Sequence, residues 1–236
     1  LILCNYSMLL YLDRTQIRFH TKYLLTMLKD IRTDYQKFEL AEQTVNKNPF
    51  LHLTRWLTEA LEAQQPDPTA MVLSTIDKNG YPDARVVLLK EITSDGLIFF
   101  TNYESRKGQQ IADNNHVSVV FLWSVMERQV RVKGTVEKIP DKDSEDYFLS
   151  RPLESQLGAW ASPQSQVIEN RQVLTDNYIH YKKEFETRKM IKPPHWGGFI
   201  IRPEYFEFWQ GRSNRLHDRL SFSLMDQNWE IHRLAP

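Results

Sequence analysis

The chain has 236 residues, of which 41% are hydrophobic and 25% charged: enough apolar material for an ordinary domain core, and too much for a disordered chain. Thirty basic side chains balance thirty acidic ones, which excludes the basic excess of a general nucleic-acid binder. The single cysteine, Cys4, rules out an intrachain disulfide and fits a cytoplasmic setting, and no apolar run approaches the roughly 18 residues of a membrane span.

Residues 1–26 begin without methionine, and their apolar run around 8–12 is cut by Asp13 and Arg14. They lack the basic start and small-residue cleavage site of a secretory signal. The expectation is a non-native or disordered extension, with Met27 as a candidate start and 27–236 as a single domain. Asn48-Pro49 predicts a helix start, a capping side chain followed by proline in the first turn. Leu53, Leu57, Ala60 and Leu61 give that helix one apolar face to about residue 64. The period then changes. Apolar runs at 70–76, 84–92 and 97–101, separated by Asp77-Lys78-Asn79-Gly80 and Ser94-Asp95-Gly96, predict a meander of buried strands. A strand at 117–123 follows, and 129–138 alternates, with Val130, Val132, Gly134 and Val136 on one face. Helices are expected at 105–114, 141–151 and 166–190, the last stopped by Pro193-Pro194. Strands return at 196–202, 205–209, 220–224 and 229–233. This predicts a mainly antiparallel β fold with α-helices, a barrel rather than a doubly wound sheet.

Several chemistries find no motif. None of the eight glycines forms GxGxxG or a phosphate loop, no GxSxG elbow is present, and the seven histidines show no metal spacing. Any nucleotide phosphate must then be held by other cations and backbone donors. Four segments offer them. Arg85 and Lys90 bracket a buried-looking strand, although strand-end charges reaching water are the simpler local reading. Arg106 and Lys107 follow Ser105 in the first turn of a helix, where cations oppose the dipole unless an anion sits among the free N–H groups; a solvated helix start explains them equally well. Tyr147, Arg151 and Ser155 recur every four residues, one face of a continuous helix, though Pro152 bends it. Arg215, His217, Asp218 and Arg219 crowd between two strands beside Trp209, as a solvated turn or as a site on a rigid barrel.

Taken in order, RVVLLK (85–90), FFTNYESRKG (99–108), ERQVRV (127–132), YFLSRPLESQLGAWAS (147–162), PQSQVI (163–168), WGGF (196–199), EFWQG (207–211), NRLHDR (214–219) and the closing RLAP resemble the pyridoxine (pyridoxamine) 5′-phosphate oxidase family over about residues 28–236. The resemblance implies an FMN-binding split β-barrel and a homodimer with FMN at the interface. It implies that Arg85, Val86, Val87, Leu88, Leu89, Lys90, Phe100, Thr101, Arg106, Lys107, Gln129, Gln164, Ser165, Trp209 and Arg219 hold the flavin. It assigns Lys90, Tyr147, Arg151 and Ser155 to the substrate phosphate, and Arg215 and His217 to its pyridine ring and to catalysis, with Leu216 among the substrate-binding residues. Arg32, Thr33, Asp34 and Tyr35 match a flap over the substrate. The implied activity is oxidation of pyridoxine or pyridoxamine 5′-phosphate to pyridoxal 5′-phosphate by dioxygen, releasing hydrogen peroxide. No metal, nucleic acid or membrane is implied, and a non-catalytic FMN- or pyridoxal-phosphate-binding barrel is the alternative. Two features depart from the family pattern. Gln36-Lys37-Phe38-Glu39 replaces a basic, glycine-rich stretch, and Arg212 receives no role.

Overall fold

The computed structural model describes residues 28–236; the expectations for 1–26 and Met27 lie outside the described residues. Two compact units are distinguished, Leu1–Tyr35 and Gln36–Pro236. In the first, residues 28–30 are helical and 31–35 irregular. The second carries the barrel.

Helix α1 (Pro49–Glu62) begins as the sequence dictates: Asn48 accepts hydrogen bonds from the N–H groups of Phe50 and Leu51, and Pro49 occupies the first turn. Its buried stripe, Phe50, Leu53, Trp56 and Ala60, packs into the core. Nine strands follow among the described residues: β1 (Ala70–Ile76), β2 (Pro82–Leu88), β3 (Glu91–Ile92), β4 (Leu97–Asn102), β5 (His116–Trp123), β6 (Arg128–Lys138), β7 (Trp196–Gln210), β8 (Asp218–Met225) and β9 (Asn228–Arg233). They form one antiparallel sheet in the order β2-β1-β5-β6-β7-β4-β3, with β8 on β7 and β9 on β8. Strand β7 changes partner midway, pairing first with β4 and then with β8. The sheet curls into the split half-barrel expected from the sequence. Leu73, Val119, Phe121, Val130, Val132, Phe206, Phe208 and Phe222 fill its interior, each fully buried.

The helices are α2 (Arg106–Asp113), α3 (Asp141–Ser150), α4 (Leu153–Ala161) and α5 (Gln172–Thr187). Four expectations need correction. The run 84–92 is not one buried strand: β2 lies at the sheet's edge with Val86 63% and Leu88 44% exposed, and the chain breaks before β3. The meander fails with it, since β3 and β4 join the sheet at its far end through β7. The strands 196–202 and 205–209 are one, interrupted only by a bulge where Lys133 and Gly134 face Tyr205 and Pro203. Proline has no ladder N–H to lose at a bulge, and a side chain on Gly134 would collide with the Arg202 carbonyl. The last helix is shorter than 166–190 and leaves Val167 fully exposed outside it, while α4 was unforeseen.

Candidate functional site

A cleft of about 660 Å³ opens between β2, β4, the start of α2 and the α3–α4 pair. Its walls bring together residues far apart in the chain: Val86, Val87, Leu88 and Lys90; Phe100 and Thr101; Lys107; Tyr147, Arg151 and Ser155; Gln164; and Trp196. The α3–α4 break is what places the third group. Helix α3 ends at Ser150, and Arg151 adopts extended backbone (ψ 154°) before Pro152 starts the next helix. A residue preceding proline is pushed out of the helical region. Tyr147, Arg151 and Ser155 therefore share the cleft by way of a kink, not along one helical face.

Three cations line the cleft, an exposed Lys90 and the half-buried Lys107 and Arg151. The Lys107 ammonium contacts only neutral oxygens, Gln164 Oε1 (3.0 Å), Thr101 Oγ1 (3.2 Å) and Ser105 Oγ (3.2 Å). Burial, and then the nearby Arg85 charge, hold its pKa below the ordinary lysine value. Ser105 caps α2 through the Gly108 N–H, so the lysine stands in the helix's first turn. Arg151 lies 4.7 Å over the Trp196 ring, and its buried Nη1 lacks a hydrogen-bond partner. Burial lowers its pKa as well. Neither Lys107 nor Arg151 forms an ion pair among the described residues. A half-buried charge without a counter-ion bears a desolvation cost that an anionic ligand would offset. Between them Tyr147 stacks on Phe100 (3.8 Å, 16°), and Trp196 stacks on the same ring (5.4 Å, 13°).

Other expected residues lie apart from this cleft. Arg85 is locked by the Leu73 carbonyl, Thr75, Gln110 and Asp83, and Arg106 also pairs with Asp83 (3.1 Å). Leu89 is a core side chain, leaving only its backbone to offer, and Ser165 stands exposed beside Gln164 with a left-handed backbone (φ 71°). Gln129, Trp209 and Arg219 lie in register across β6, β7 and β8, a second group outside the cleft lining. Arg219 pairs with Glu207 (2.9 Å), a carboxylate shared with Arg131 and the Tyr205 hydroxyl. The His217 ring packs on Trp209 (4.6 Å), and its Nδ1 accepts from the Arg212 N–H (3.1 Å). This puts the neutral ring's proton on Nε2. Burial and the Arg215 charge hold the His217 pKa down. Arg32, Thr33, Asp34 and Tyr35 belong to the first unit. Trp196, Gly158, Ala159 and Ser162 also line the cleft, with no role foreseen for them in the sequence. Gly158 was the available signal: a glycine inside a helix, with open space where a Cβ would be.

Among the described residues no group of three or more His, Cys, Asp or Glu side chains converges as a metal site, and no helix is long and apolar enough to cross a membrane.

Residues 57–182 match the family model described as pyridoxamine 5′-phosphate oxidase, and 196–236 match the pyridoxine 5′-phosphate oxidase C-terminal dimerisation region. A pyridoxine/pyridoxamine 5′-phosphate oxidase of Trichormus variabilis is 48% identical over 210 residues, covering 89% of this chain and 98% of the relative. One from Synechocystis is 49% identical over 209 residues, with the same coverage of 89% and 98%. In fold, the chain is similar to PhzG from Burkholderia lata, solved with tetrahydrophenazine-1-carboxylic acid (TM-score 0.79, 24% identity, 85% of this chain and 100% of that one). It is also similar to a pyridoxamine 5′-phosphate oxidase-related, FMN-binding protein of Nostoc punctiforme (TM-score 0.62, 15% identity, 84% and 98%).

Proposed function

The chain belongs to the pyridoxamine 5′-phosphate oxidase family, and from that premise we propose that it is an FMN-dependent oxidase converting pyridoxine and pyridoxamine 5′-phosphates to pyridoxal 5′-phosphate. The observation that carries this reading is the single cleft joining Lys107 to Arg151, two cations without carboxylate partners. FMN and the substrate each carry a phosphate, and two separate cationic ends suit two phosphates in one cavity. Lys107, Thr101 and Gln164 would hold the flavin's phosphate end, with Arg106 reaching it by leaving Asp83. Lys90, Tyr147, Arg151 and Ser155 would hold the substrate's.

Bound FMN supplies the two-electron acceptor for the substrate's 4′ carbon, with dioxygen as final acceptor and hydrogen peroxide as product. The alcohol substrate then needs only dioxygen, while the amine also consumes water and releases ammonia. The chain's own contribution is positioning and electrostatics. Arg151 and Lys90 fix the substrate by its phosphate; Trp196 shields Arg151 from water. Arg215 and the Nε2–H of His217 offer a cation and a donor for charge developing at the 4′ substituent.

Since Gln129, Trp209, Arg215, His217 and Arg219 lie outside one chain's cleft lining, the reading requires a homodimer in which a second copy brings them over it. Two observations support this: the second group lies almost wholly within the matched dimerisation region, and the neighbouring strands β2, β1 and β5 expose Val86, Leu88, Val72 and Leu122, an apolar surface of the kind that a partner covers. The test is a visible spectrum of the purified protein followed by peroxide measurement with each substrate. A yellow protein that releases peroxide supports the oxidase. A yellow protein that binds both phosphates without peroxide returns the non-catalytic binder, and a colourless one that takes up no added FMN ends the reading.

A further inference from the structure

Residues 36–42 contain neither helix nor strand, yet they are fastened to the barrel along their length. The Gln36 and Lys37 N–H groups donate to the Glu127 carboxylate (2.9 and 3.1 Å), and Lys37 Nζ donates to the Val125 carbonyl (2.7 Å). The Phe38 ring lies 4.8 Å from the Arg128 guanidinium. Leu40 is buried; its N–H donates to Asp218 (3.1 Å) and its carbonyl accepts from Arg233 (3.0 Å). Glu42 receives the Arg233 fork at 2.6 and 2.8 Å, and Asp218 takes the same guanidinium's Nη1 at 2.8 Å.

Arg212 joins this network to the loop that carries Arg215 and His217. Its guanidinium pairs with Glu39 (2.7 Å) and lies 3.7 Å from Asp218. Its backbone N–H is the donor to His217 Nδ1. The loop needs an external hold, because Asn214 (φ 57°) and Arg215 (φ 62°) are consecutive non-glycine residues in left-handed conformation. Such backbone persists only where its surroundings over-determine it. An isolated ion pair as exposed as Arg212–Glu39 would do little. Here it is one link among backbone hydrogen bonds, a bidentate arginine and a largely buried Asp218 carboxylate.

We infer that residues 36–42 form an ionic strap that fixes the 211–217 loop, and that Arg212 is a positioning residue holding His217 as its Nε2–H tautomer. The consequence for turnover rests on the oxidase reading above; the strap itself does not. The strap also accounts for the two departures from the family pattern: Glu39 and Arg212 are one feature, the two ends of one ion pair.

The test uses the full chain saturated with FMN and labelled with ¹⁵N-histidine, the His217→Gln variant identifying the His217 signals. The unaltered protein is expected to show an acceptor-type Nδ1 and a protonated Nε2 at His217. In Arg212→Ala those two nitrogen shifts are expected to move toward each other as the tautomers mix. The kcat with pyridoxine 5′-phosphate should fall several-fold, with a smaller change in KM and unchanged FMN affinity. Glu39→Gln, which alters only an exposed side chain, should show the same changes in weaker form. The exchanged pair Glu39→Arg with Arg212→Glu should restore both the shifts and kcat. Native shifts and native kcat in both Arg212→Ala and Glu39→Gln overturn the inference. Should the unaltered protein release no peroxide, the oxidase reading fails, and the nitrogen shifts alone decide the strap.

Discussion

In the cleft, Lys107 and Arg151 are half-buried and meet only neutral groups, and Arg151 leaves a buried nitrogen without an acceptor. Across strands β6 to β9 and the loop between β7 and β8, Arg131 and Arg219 share Glu207, while Arg212 and Arg233 are held by Glu39, Glu42 and Asp218. Both regions are rich in arginine and lysine, yet only the first leaves its charges for something else to complete. Unpaired buried charge is costly, so it marks a place that expects a ligand; paired charge fixes a shape. Arg215 differs from its neighbours there, being exposed, left-handed in backbone and without an ion pair among the described residues.

From that contrast, the largest loss should come from Arg215. Arg215→Leu is expected to lower kcat by about 100-fold or more, the usual scale for removing one preorganised charge from a reacting centre. The protein should stay folded and keep its yellow FMN. Turnover within a few-fold of native would move Arg215 to the structural side of the comparison. Next is Arg151→Leu, which should raise the KM of either phosphorylated substrate about 10- to 100-fold, the value of a charge-assisted phosphate contact. FMN affinity, read by fluorescence quenching, should be unchanged. Lys107→Met should do the reverse, weakening FMN binding by about 10-fold and flattening its dependence on salt, with substrate KM measured at saturating FMN close to native. Equal effects of both variants on both ligands would dissolve the separation between the two ends of the cleft.

Beneath these strands, a buried histidine affects stability rather than activity. His52 is fully buried against Phe208 (4.5 Å) and Trp56, its Nε2 lacks a partner, and burial drives its pKa from 6.5 to about 3. The unfolded chain therefore binds a proton that the folded one refuses. The stability present above about pH 6.5 should fall as pH drops toward 3, by up to about 1.4 kcal/mol per pH unit from this one group. Urea titrations between pH 7 and 4 measure that slope, and His52→Leu should reduce it. An unchanged slope would show that His52 is not responsible.

Much of this was legible in the chain because it depends on local rules. Asn48-Pro49 and Ser105 mark helix starts, and the alternation through Val130, Val132 and Val136 marks β6, because caps and side-chain alternation act over a few residues. Lys107 stood out as a cation in a helix's first turn, and Tyr147, Arg151 and Ser155 by their spacing. The kink at Pro152 that turns those three into one cleft was only half legible, and the edge position of β2 not at all. A run such as Val86–Leu89 reads as buried wherever it lies; what covers it is decided by strand order, which no local pattern encodes.

The sequence by itself determined the antiparallel, barrel-forming pattern of strands, the helix starts and the residue types able to bind phosphate, since each follows from steric, capping or charge preferences carried by neighbouring residues. Only the tertiary structure decided which of the many cations are spent on carboxylates and which are not. That depends on Asp83, Glu207, Asp218 and Glu39 meeting arginines from other elements. Those meetings are fixed by β7 changing partner midway and by the chain's return past residue 36, long-range events that charge spacing along the sequence does not record.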